Sequence, residues 1–308
     1  MGWLVRTVMA AVGFAILLVY TAFALVGLFA LQWLVTNPPD AVTLLLAFAA
    51  VVLVSGYVGY SLGSLRIVAS LDATELPPRR APALYQRFTD LTDRADVQTP
   101  RLLVANLDAP NALSIGGPRR GFVVLDPSLF QLLTLDELET IIAHELAHME
   151  RLDTFYNTLT MTAMRTLVGV FFVLFFPIVL FLAGIDRAAP WIAGRPGPPR
   201  VSLARSFQWL VTLVLSGVLF VFTFGFLAYS RKQEFAADRR AAELTGNPVA
   251  LARALAKIEE ATRPRRGLLA MLYVHDEPDR EEQWLSTHPP VQERIDRLLA
   301  LSGQTPPP

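Results

Sequence analysis

The chain has 308 residues, 53% of them hydrophobic, and its mean hydropathy of +0.42 is too high for an ordinary soluble protein of this length. Its formal net charge is zero and it has no long basic run, so nucleic acid is not expected as a partner. The absence of cysteine excludes disulfides, thiolate metal ligands and a cysteine nucleophile, and any metal must be bound by histidine and carboxylate side chains.

Four apolar stretches are long enough to cross the hydrocarbon core of a bilayer, which is roughly 30 Å thick. None of them contains Asp, Glu, Lys, Arg or His. The first is about twice as long as the apolar run of a signal peptide and lacks a small-residue cleavage site, so it is interpreted as a retained anchor. The four predicted transmembrane helices cover approximately residues 7–35, 41–65, 166–185 and 206–229.

Basic residues are distributed unevenly around these stretches. Arginine precedes the first and third stretches and follows the second and fourth, whereas the short loop 36–40 has no basic residue. The positive-inside rule therefore places both termini and the two large polar segments in the cytoplasm. The loop 186–205 opposes this orientation, because it also contains arginines: Arg187, Arg195, Arg200 and Arg205.

The polar residues form two blocks, 73–162 and 230–308, and neither block alone is large enough for a typical domain. Together they supply roughly 170 residues, a normal size for one hydrophobic core. The sequence therefore predicts a mainly α-helical integral membrane protein with one cytoplasmic α+β domain that contains a small sheet. Residues 1–72 form an N-terminal membrane anchor with two helices, and residues 163–229 form a transmembrane hairpin inserted in the cytoplasmic domain.

The first polar block mixes helices with short strands. We predict a helix over 84–95, a strand over 101–107, and a hairpin over 111–125, where two β-prone runs flank a Gly/Pro turn. Thr134 and Glu137 have the spacing of a capping box, so another helix is expected to begin near residue 135. In the second block, helices are predicted over 233–244, over 248–262, and from the prolines at 289–290 to residue 300.

The helix beginning near residue 135 carries the motif His144-Glu145-Leu-Ala-His148. Residues i and i+4 lie on one helix face, so both imidazoles can be directed at one metal ion, while Glu145 is about 100° around the helix. This arrangement suits metal-assisted peptide hydrolysis, in which the carboxylate transfers the proton of an activated water. The alternative is that two histidines share a helix face by chance, and the motif still needs a third ligand.

The segment Glu234-Phe-Ala-Ala-Asp238, just after the fourth apolar stretch, offers that ligand. A helix would present Glu234 and Asp238 to the same side. Glu234 can then bind the metal, and Asp238 can hold the free ring nitrogen of a ligand histidine and fix its tautomer. A solvated charged helix is the commoner meaning of such a run, so this segment does not define a site by itself.

Together with Ser286-Thr-His-Pro-Pro290, these two motifs resemble peptidase family M48, specifically its four-span HtpX group of bacterial membrane proteases. The resemblance covers nearly all of the chain. It implies a gluzincin-type zinc peptidase domain with one Zn²⁺ per chain, bound by His144, His148 and Glu234.

The resemblance also implies roles for other residues. Glu145 is the expected general base, and Asp238 is expected to support a ligand histidine. Asn111-Ala112 matches the Asn-Ala stretch before an edge strand, which would bind extended substrate by β-addition. His288 and Arg294 match the family's His-Pro segment and following arginine, and both can donate hydrogen bonds to the oxyanion.

Two features depart from this pattern or lie outside it. The glycine- and proline-rich segment 114–121 falls where the family's hairpin varies, which leaves the strand length open. Asp153 follows the metal helix and is expected to be a solvated charge rather than a structural partner.

The expected function is that of a multi-pass zinc endopeptidase of the bacterial inner membrane, with its site facing the cytoplasm. Its expected partners are the lipid bilayer and polypeptide substrates, namely misfolded or damaged membrane proteins, and this quality-control role comes from the resemblance alone. The sequence leaves the oligomeric state open.

Other functions are weighed against this one. An intramembrane protease is disfavoured because charged residues such as Glu139, Glu150 and Arg151 surround the motif, and such charges belong in water. A transporter or metal sensor is disfavoured because the four apolar stretches lack ionisable residues. A catalytically silent or regulatory metalloprotein scaffold and a specific processing protease stay open as alternatives.

Overall fold

The computed structural model describes residues 2–107, 109–198, 202–262 and 289–303. The chain divides into two compact units. We call the first, Met1–Val54 with Met161–Thr223, the helical unit, and the second, Ser55–Thr160 with Phe224–Pro308, the peptidase-like unit. The described elements are α1 (Trp3–Thr36), α2 (Ala41–Ser70), β1 (Thr74–Glu75), a 3₁₀ turn (Pro78–Arg80), α3 (Pro82–Arg94), β2 (Arg101–Val104), β3 (Ala112–Gly117), β4 (Arg120–Leu125), α4 (Leu129–Leu132), α5 (Leu135–Glu150), α6 (Asp153–Ile192), α7 (Leu203–Thr245), α8 (Pro248–Thr262) and α9 (Val291–Leu301).

In the part of the chain that the structure describes, four helices are long and apolar enough to cross a membrane, namely α1, α2, α6 and α7. They expose many large apolar side chains, as is expected of helices whose solvent is lipid. The predicted fold class, with four transmembrane helices and an α+β part that contains a small sheet, is confirmed. Each helix extends beyond the stretch that hydropathy alone predicted.

Within the helical unit, α1 and α6 approach each other closely at glycines. A Cβ atom built on Gly27 would lie 2.6 Å from Cγ of Pro177, and one built on Gly184 would lie 2.5 Å from Cβ of Tyr20. Small residues at such positions allow two backbones to come together, which is a common basis of helix packing in membranes.

The first turn of α7 is capped by a carboxylate from α6. Asp186 is buried and accepts hydrogen bonds from the backbone N–H groups of Leu203 and Ala204 at 2.9 and 2.8 Å. These N–H groups have no partner within their own helix, so the side chain satisfies them as an N-cap residue would.

The predicted helix over 233–244 forms the last part of α7, which is 43 residues long and continues without a break from the fourth apolar stretch. Neither glycine nor proline occurs between residues 226 and 245, so nothing in the sequence interrupts the helix there. The helix ends as predicted before Gly246, whose φ of +65° suits glycine.

Among the described residues of the peptidase-like unit, four strands form one mixed sheet in the order β1-β2-β4-β3. β2 and β4 are parallel, whereas β3 and β4 form the predicted antiparallel hairpin, with Ala112 opposite Leu125 and Gly117 opposite Arg120. Because β3 pairs only with β4, it lies at an edge of this sheet.

Alternate residues of the strands pack on opposite faces of the sheet, as the two-residue period of a strand requires. Leu102, Val123 and Leu125 belong to the main core, which they share with Ile142 and Leu146 of α5 and with residues of α3, α8 and α9. On the other face, Leu103, Ile115 and Val124 form a smaller cluster with the end of α2. One face of the sheet therefore packs against α5.

The start of α5 has the predicted capping box. The Thr134 hydroxyl accepts a hydrogen bond from the Glu137 N–H at 3.3 Å, and the Glu137 carboxylate accepts one from the Thr134 N–H at 2.9 Å. Glu137 is buried and also pairs with Lys257 of α8 at 2.6 Å. The box thus fixes both the start of the helix that carries the histidines and its position against α8.

Candidate metal centre

A cleft of about 680 Å³ opens in the peptidase-like unit above the middle of α5. Its walls come from the beginning of β3, from α5, α7 and α8, and from the first turn of α9. His144, Glu145, His148 and Glu234 of the two motifs line it, as does the Asn111-Ala112 stretch. The lining residues are Ala109, Pro110, Asn111, Ala112, Leu113, Ser114, Ile141, His144, Glu145, His148, Glu234, Leu255, Ile258, Glu259, Thr262, Val291 and Arg294.

The two histidines of α5 direct their Nε2 atoms at one point in this cleft. His144 Nε2 and His148 Nε2 lie 3.2 Å apart, and the ring planes are nearly perpendicular. The four-residue spacing places both rings on one face of the helix. Glu145, the neighbouring residue, is buried at the floor of the same cleft.

The third member of the cluster comes from α7. Glu234 is buried, and its carboxylate oxygens lie 3.6 Å from His144 Nε2 and 3.9 Å from His148 Nε2. One ligand atom of each residue lies within 4.8 Å of the other two. The fold therefore brings together two segments that are 86 residues apart in the sequence, from His148 to Glu234.

This geometry fits a tetrahedral metal ion with nitrogen and oxygen ligands. Two nitrogens that are each about 2.0–2.1 Å from a tetrahedral zinc ion lie about 3.4 Å apart, close to the separation of the two Nε2 atoms. The Nδ1 atom of each ring faces a carboxylate, at 3.0 Å from Asp238 for His144 and at 2.8 Å from Asp153 for His148. Protons on Nδ1 leave both Nε2 lone pairs directed at the same point, where a cation relieves their repulsion.

Arg294 of α9 links the carboxylates of this centre. Its guanidinium donates to both Asp238 oxygens, at 2.8 and 2.6 Å, and lies 3.1 Å from a Glu234 oxygen. Burial alone would raise the pKa of Asp238, but the hydrogen bonds from Arg294 hold it well below its usual range. Asp238 is therefore ionised and available to the His144 ring, although the Nδ1 contact is poorly angled for a strong hydrogen bond.

Asp153 differs from the expectation for it. The expected solvated charge is wrong, because Asp153 is buried and lies 2.8 Å from His148 Nδ1. Its other oxygen accepts a hydrogen bond from the Gln233 side chain at 3.0 Å. Sequence reasoning also missed Gln233, whose position next to Glu234 was the one available signal.

Asn111 and Ala112 lie where the exposed edge of the sheet borders the cleft. The Asn111 side chain accepts a hydrogen bond from the Ala112 N–H at 2.9 Å, which fixes the start of β3. Residues 112–114 of this edge strand line the cleft beside the histidines. His288, the other residue assigned to the oxyanion, lies outside the described residues.

Comparison with known proteins gives concordant results. Residues 78–302 match peptidase family M48. The "Protease HtpX homolog" of Acaryochloris marina is 35% identical over 247 residues, which cover 77% of this chain and 78% of that protein. The protein of the same name from Acidiphilium cryptum is 33% identical over 265 residues, with 82% of this chain and 84% of that protein covered.

Among solved structures, the crystal structure of S. mikatae Ste24p has a similar fold, with a TM-score of 0.51 and 19% sequence identity. The match covers 95% of this chain but only 63% of that chain, so the present chain spans less than two thirds of it. At this identity the likeness concerns the fold alone.

Proposed function

We propose a zinc-dependent endopeptidase activity for this chain, which belongs to peptidase family M48 and is a multi-pass membrane protease. The observation that carries this proposal is the convergence of His144 Nε2, His148 Nε2 and the Glu234 carboxylate in the cleft. Two imidazoles and one carboxylate form a ligand set that suits catalytic zinc, since they leave a coordination position for substrate or water.

Glu145 is the proposed general base. When bound, zinc supplies Lewis-acid polarisation of the scissile carbonyl and makes the attacking water more acidic. Glu145 lies beside both histidines in the floor of the cleft, where its carboxylate can accept the proton of that water and deliver it to the leaving amine.

Arg294 and His288 are proposed to donate hydrogen bonds to the oxyanion. Arg294 lines the cleft, and its contacts with Asp238 and Glu234 hold the guanidinium in one orientation. A guanidinium has five N–H groups, so these contacts leave donor capacity that can face the substrate.

Extended substrate is proposed to bind along the edge of β3. The backbone of residues 112–114 borders the cleft, and an extended peptide can add to such an edge by main-chain hydrogen bonds. The Asn111 side chain, which is bonded to the Ala112 N–H, supports the beginning of that edge.

The proposed substrates are misfolded or damaged membrane proteins, cleaved on the cytoplasmic side of the bacterial cell membrane. Support for this location comes from the chain itself, because Glu234 follows the apolar part of α7 by only a few residues of the same helix. The basic residues Arg231, Lys232 and Arg239 also follow the apolar part of α7, and an excess of basic residues next to a transmembrane helix is usual on the cytoplasmic side.

Activity is tested with the purified full-length protein in detergent, supplied with zinc and an unfolded membrane protein. We expect Glu145→Gln to lower the cleavage rate by about 10²-fold or more while retaining the bound metal, because the base is not a ligand. Glu139→Gln is the matched control on the same helix and should cleave at the wild-type rate. Equal cleavage by wild type and Glu145→Gln would reject this mechanism, and a metal-loaded wild type without cleavage would favour a silent scaffold.

The side of the membrane is tested separately, using the absence of cysteine in the chain. Arg119→Cys adds an exposed thiol to the peptidase-like unit, and Asn37→Cys adds one to the loop between α1 and α2. With a membrane-impermeant thiol reagent, we expect Asn37→Cys to react in intact spheroplasts and Arg119→Cys to react only after lysis. The reverse pattern would exclude a cytoplasmic site.

A further inference from the structure

Asp153 occupies a position that the proposed mechanism does not use. It is the first residue of α6, and its two carboxylate oxygens are engaged by different helices. One oxygen lies 2.8 Å from Nδ1 of His148 on α5, and the other accepts the Gln233 side chain of α7 at 3.0 Å. Asp153 and Gln233 are both buried, with exposures of 4% and 3%.

The turn before Asp153 has the backbone geometry that brings the carboxylate back to α5. Leu152, between the two helices, has a φ of +58°, a left-handed conformation that leucine rarely adopts. Such a residue persists only where its surroundings require it, and conformations of this kind occur often at functional sites. Here Leu152 separates α5 from α6, and the next residue, Asp153, lies 2.8 Å from the ring of His148.

A simple surface ion pair does not explain this arrangement. Among the described residues, Arg151 pairs with Asp153 at 3.7 Å, but the Arg151 side chain is 43% exposed. The contacts to His148 and Gln233 are shorter, and the Asp153 side chain is only 6% exposed. The carboxylate is therefore directed towards the metal centre.

The consequence for His148 is a fixed tautomer. A carboxylate at Nδ1 accepts the ring proton there, and Nε2 is left with its lone pair directed at His144 Nε2 and Glu234. The consequence for α7 is a fixed register, because Gln233 directly precedes Glu234 and its side chain is tied to the same carboxylate.

We propose that Asp153 is a positioning residue for the metal centre, which orients His148 directly and Glu234 through Gln233. One buried carboxylate thus aligns two of the three ligands, from two different helices. The inference rests on the proposed zinc-dependent function, and it adds a residue that the HExxH and Glu234–Asp238 motifs do not contain.

The test measures zinc affinity of the full-length protein by competition with a chromogenic chelator, beside the absorption spectrum of the cobalt-substituted protein. Asp153→Asn keeps the shape of the side chain but removes its charge, and we expect zinc affinity about 10–100-fold weaker with a shifted cobalt spectrum. Gln233→Ala should weaken affinity less, and the double variant should lose less than the product of the two single effects, because both changes break one chain of contacts. Asp93→Asn, which changes an exposed carboxylate of α3, is the matched control.

The outcomes separate the two proposals. Asp153→Asn protein that binds zinc as tightly as wild type, with an unchanged cobalt spectrum, would overturn the positioning role even if its unfolding temperature fell. Independent, multiplicative effects of the Asp153 and Gln233 changes would overturn the link to Glu234. Wild-type protein that binds no zinc would reject the proposed function and this role with it, a result seen before any variant is compared.

Discussion

The two helices that supply the cluster of potential ligands lie in different surroundings. α5 is buried along most of its length, with 11 of its 16 residues buried in the peptidase-like unit. α7 exposes large apolar side chains such as Trp209 and Val221 in its first part and buries polar residues, including Glu234, only in its last part.

This difference indicates that packing contributes most to the position of α5, whereas polar contacts contribute more at the Glu234 end of α7. The core encloses the α5 helix and leaves its backbone little space to shift, while the carboxylates of Asp238 and Asp153 face the rings of its two histidines. The last turns of α7 also add Ala241 and Leu244 to the core, but its Glu234 carboxylate lies among polar groups, including the guanidinium of Arg294 at 3.1 Å. α5 should therefore be sensitive to changes of volume, and the ligand end of α7 to the loss of polar partners.

The strongest test of this contrast removes Glu234, the proposed ligand of α7. We expect Glu234→Ala to lose most of its bound zinc and at least about 10²-fold in activity, because the metal contributes several kcal/mol to the transition state. Metal content after dialysis and the rate of peptide cleavage measure the two effects.

Glu243→Ala is the matched control for Glu234→Ala. It removes an exposed glutamate from the same helix, whose ion pair with Arg240 is long at 3.5 Å. Zinc content and activity should match those of the wild type. Full zinc retention by Glu234→Ala would exclude Glu234 as a ligand and remove α7 from the site.

A smaller effect is expected from changing the partner that holds Glu234. Arg294→Lys keeps the charge but cannot form the paired bonds to Asp238, so we expect zinc affinity or activity to fall about 10–100-fold. Arg297→Lys, at an exposed position of the same helix, should have little effect.

The same variant distinguishes two roles of Arg294. A fall in kcat with normal zinc affinity would favour direct hydrogen bonding to the oxyanion, whereas weaker zinc binding would favour support of Glu234 and Asp238. Unchanged zinc affinity and kcat would contradict both roles, and with them the view that polar contacts hold the α7 ligand.

The same contrast explains what could be predicted from the sequence. The capping box and the histidine pair of α5 involve residues three or four apart on one helix, so their spacing alone predicts their contacts. The spacing of Glu234 and Asp238 also predicts a shared helix face. The prediction that this face would meet α5 depended on the resemblance to a family, because no local sequence pattern relates segments so far apart.

The contacts of Asp153 could not be predicted in this way. Asp153 lies five residues after His148, but the left-handed Leu152 separates the two helices, so no helical period relates the residues. Gln233 lies 80 residues further along the chain. Such contacts depend on the path of the backbone, which the residue types do not reveal.

A milder change tests the packing that holds α5. A Cβ atom on Gly121 of β4 would lie 1.7 Å from Cε of Met149, so Gly121→Ala must displace the Met149 side chain. Since this methyl is the end of a flexible side chain, we expect the variant to be less stable by only about 1 kcal/mol. Thermal unfolding in detergent measures the loss.

Gly217→Ala is the matched control for Gly121→Ala, because a Cβ atom built at this position of α7 meets none of the described residues within 4 Å, apart from its neighbours and the adjacent backbone of its own helix. It should unfold at the wild-type temperature or slightly above it. A wild-type unfolding temperature for Gly121→Ala as well would show that α5 has room to move and would weaken the packing argument.

The smallest expected effect concerns the start of α5, where a charge is buried in the packed helix. Burial by itself would raise the pKa of Glu137, but the hydrogen bonds from Lys257 and Thr134 hold it below its usual value. The ionised carboxylate therefore stabilises the fold above the ordinary glutamate pKa, and this contribution is lost as the pH falls through the lowered pKa. We expect Glu137→Gln to lower the free energy of unfolding by about 1 kcal/mol or less at neutral pH.

Thermal unfolding of wild type and Glu137→Gln, from neutral pH down through the lowered pKa of Glu137, measures how much the carboxylate stabilises the fold. Glu243→Gln is the control for loss of a carboxylate. The difference between wild type and Glu137→Gln should be full at neutral pH and should shrink as Glu137 is protonated in the wild type. A difference that stays constant down to low pH would mean that the shape of the side chain, rather than its charge, holds the helix start. Packing would then account for the position of α5 from its first turn to the histidines, and the contrast with α7 would be sharper.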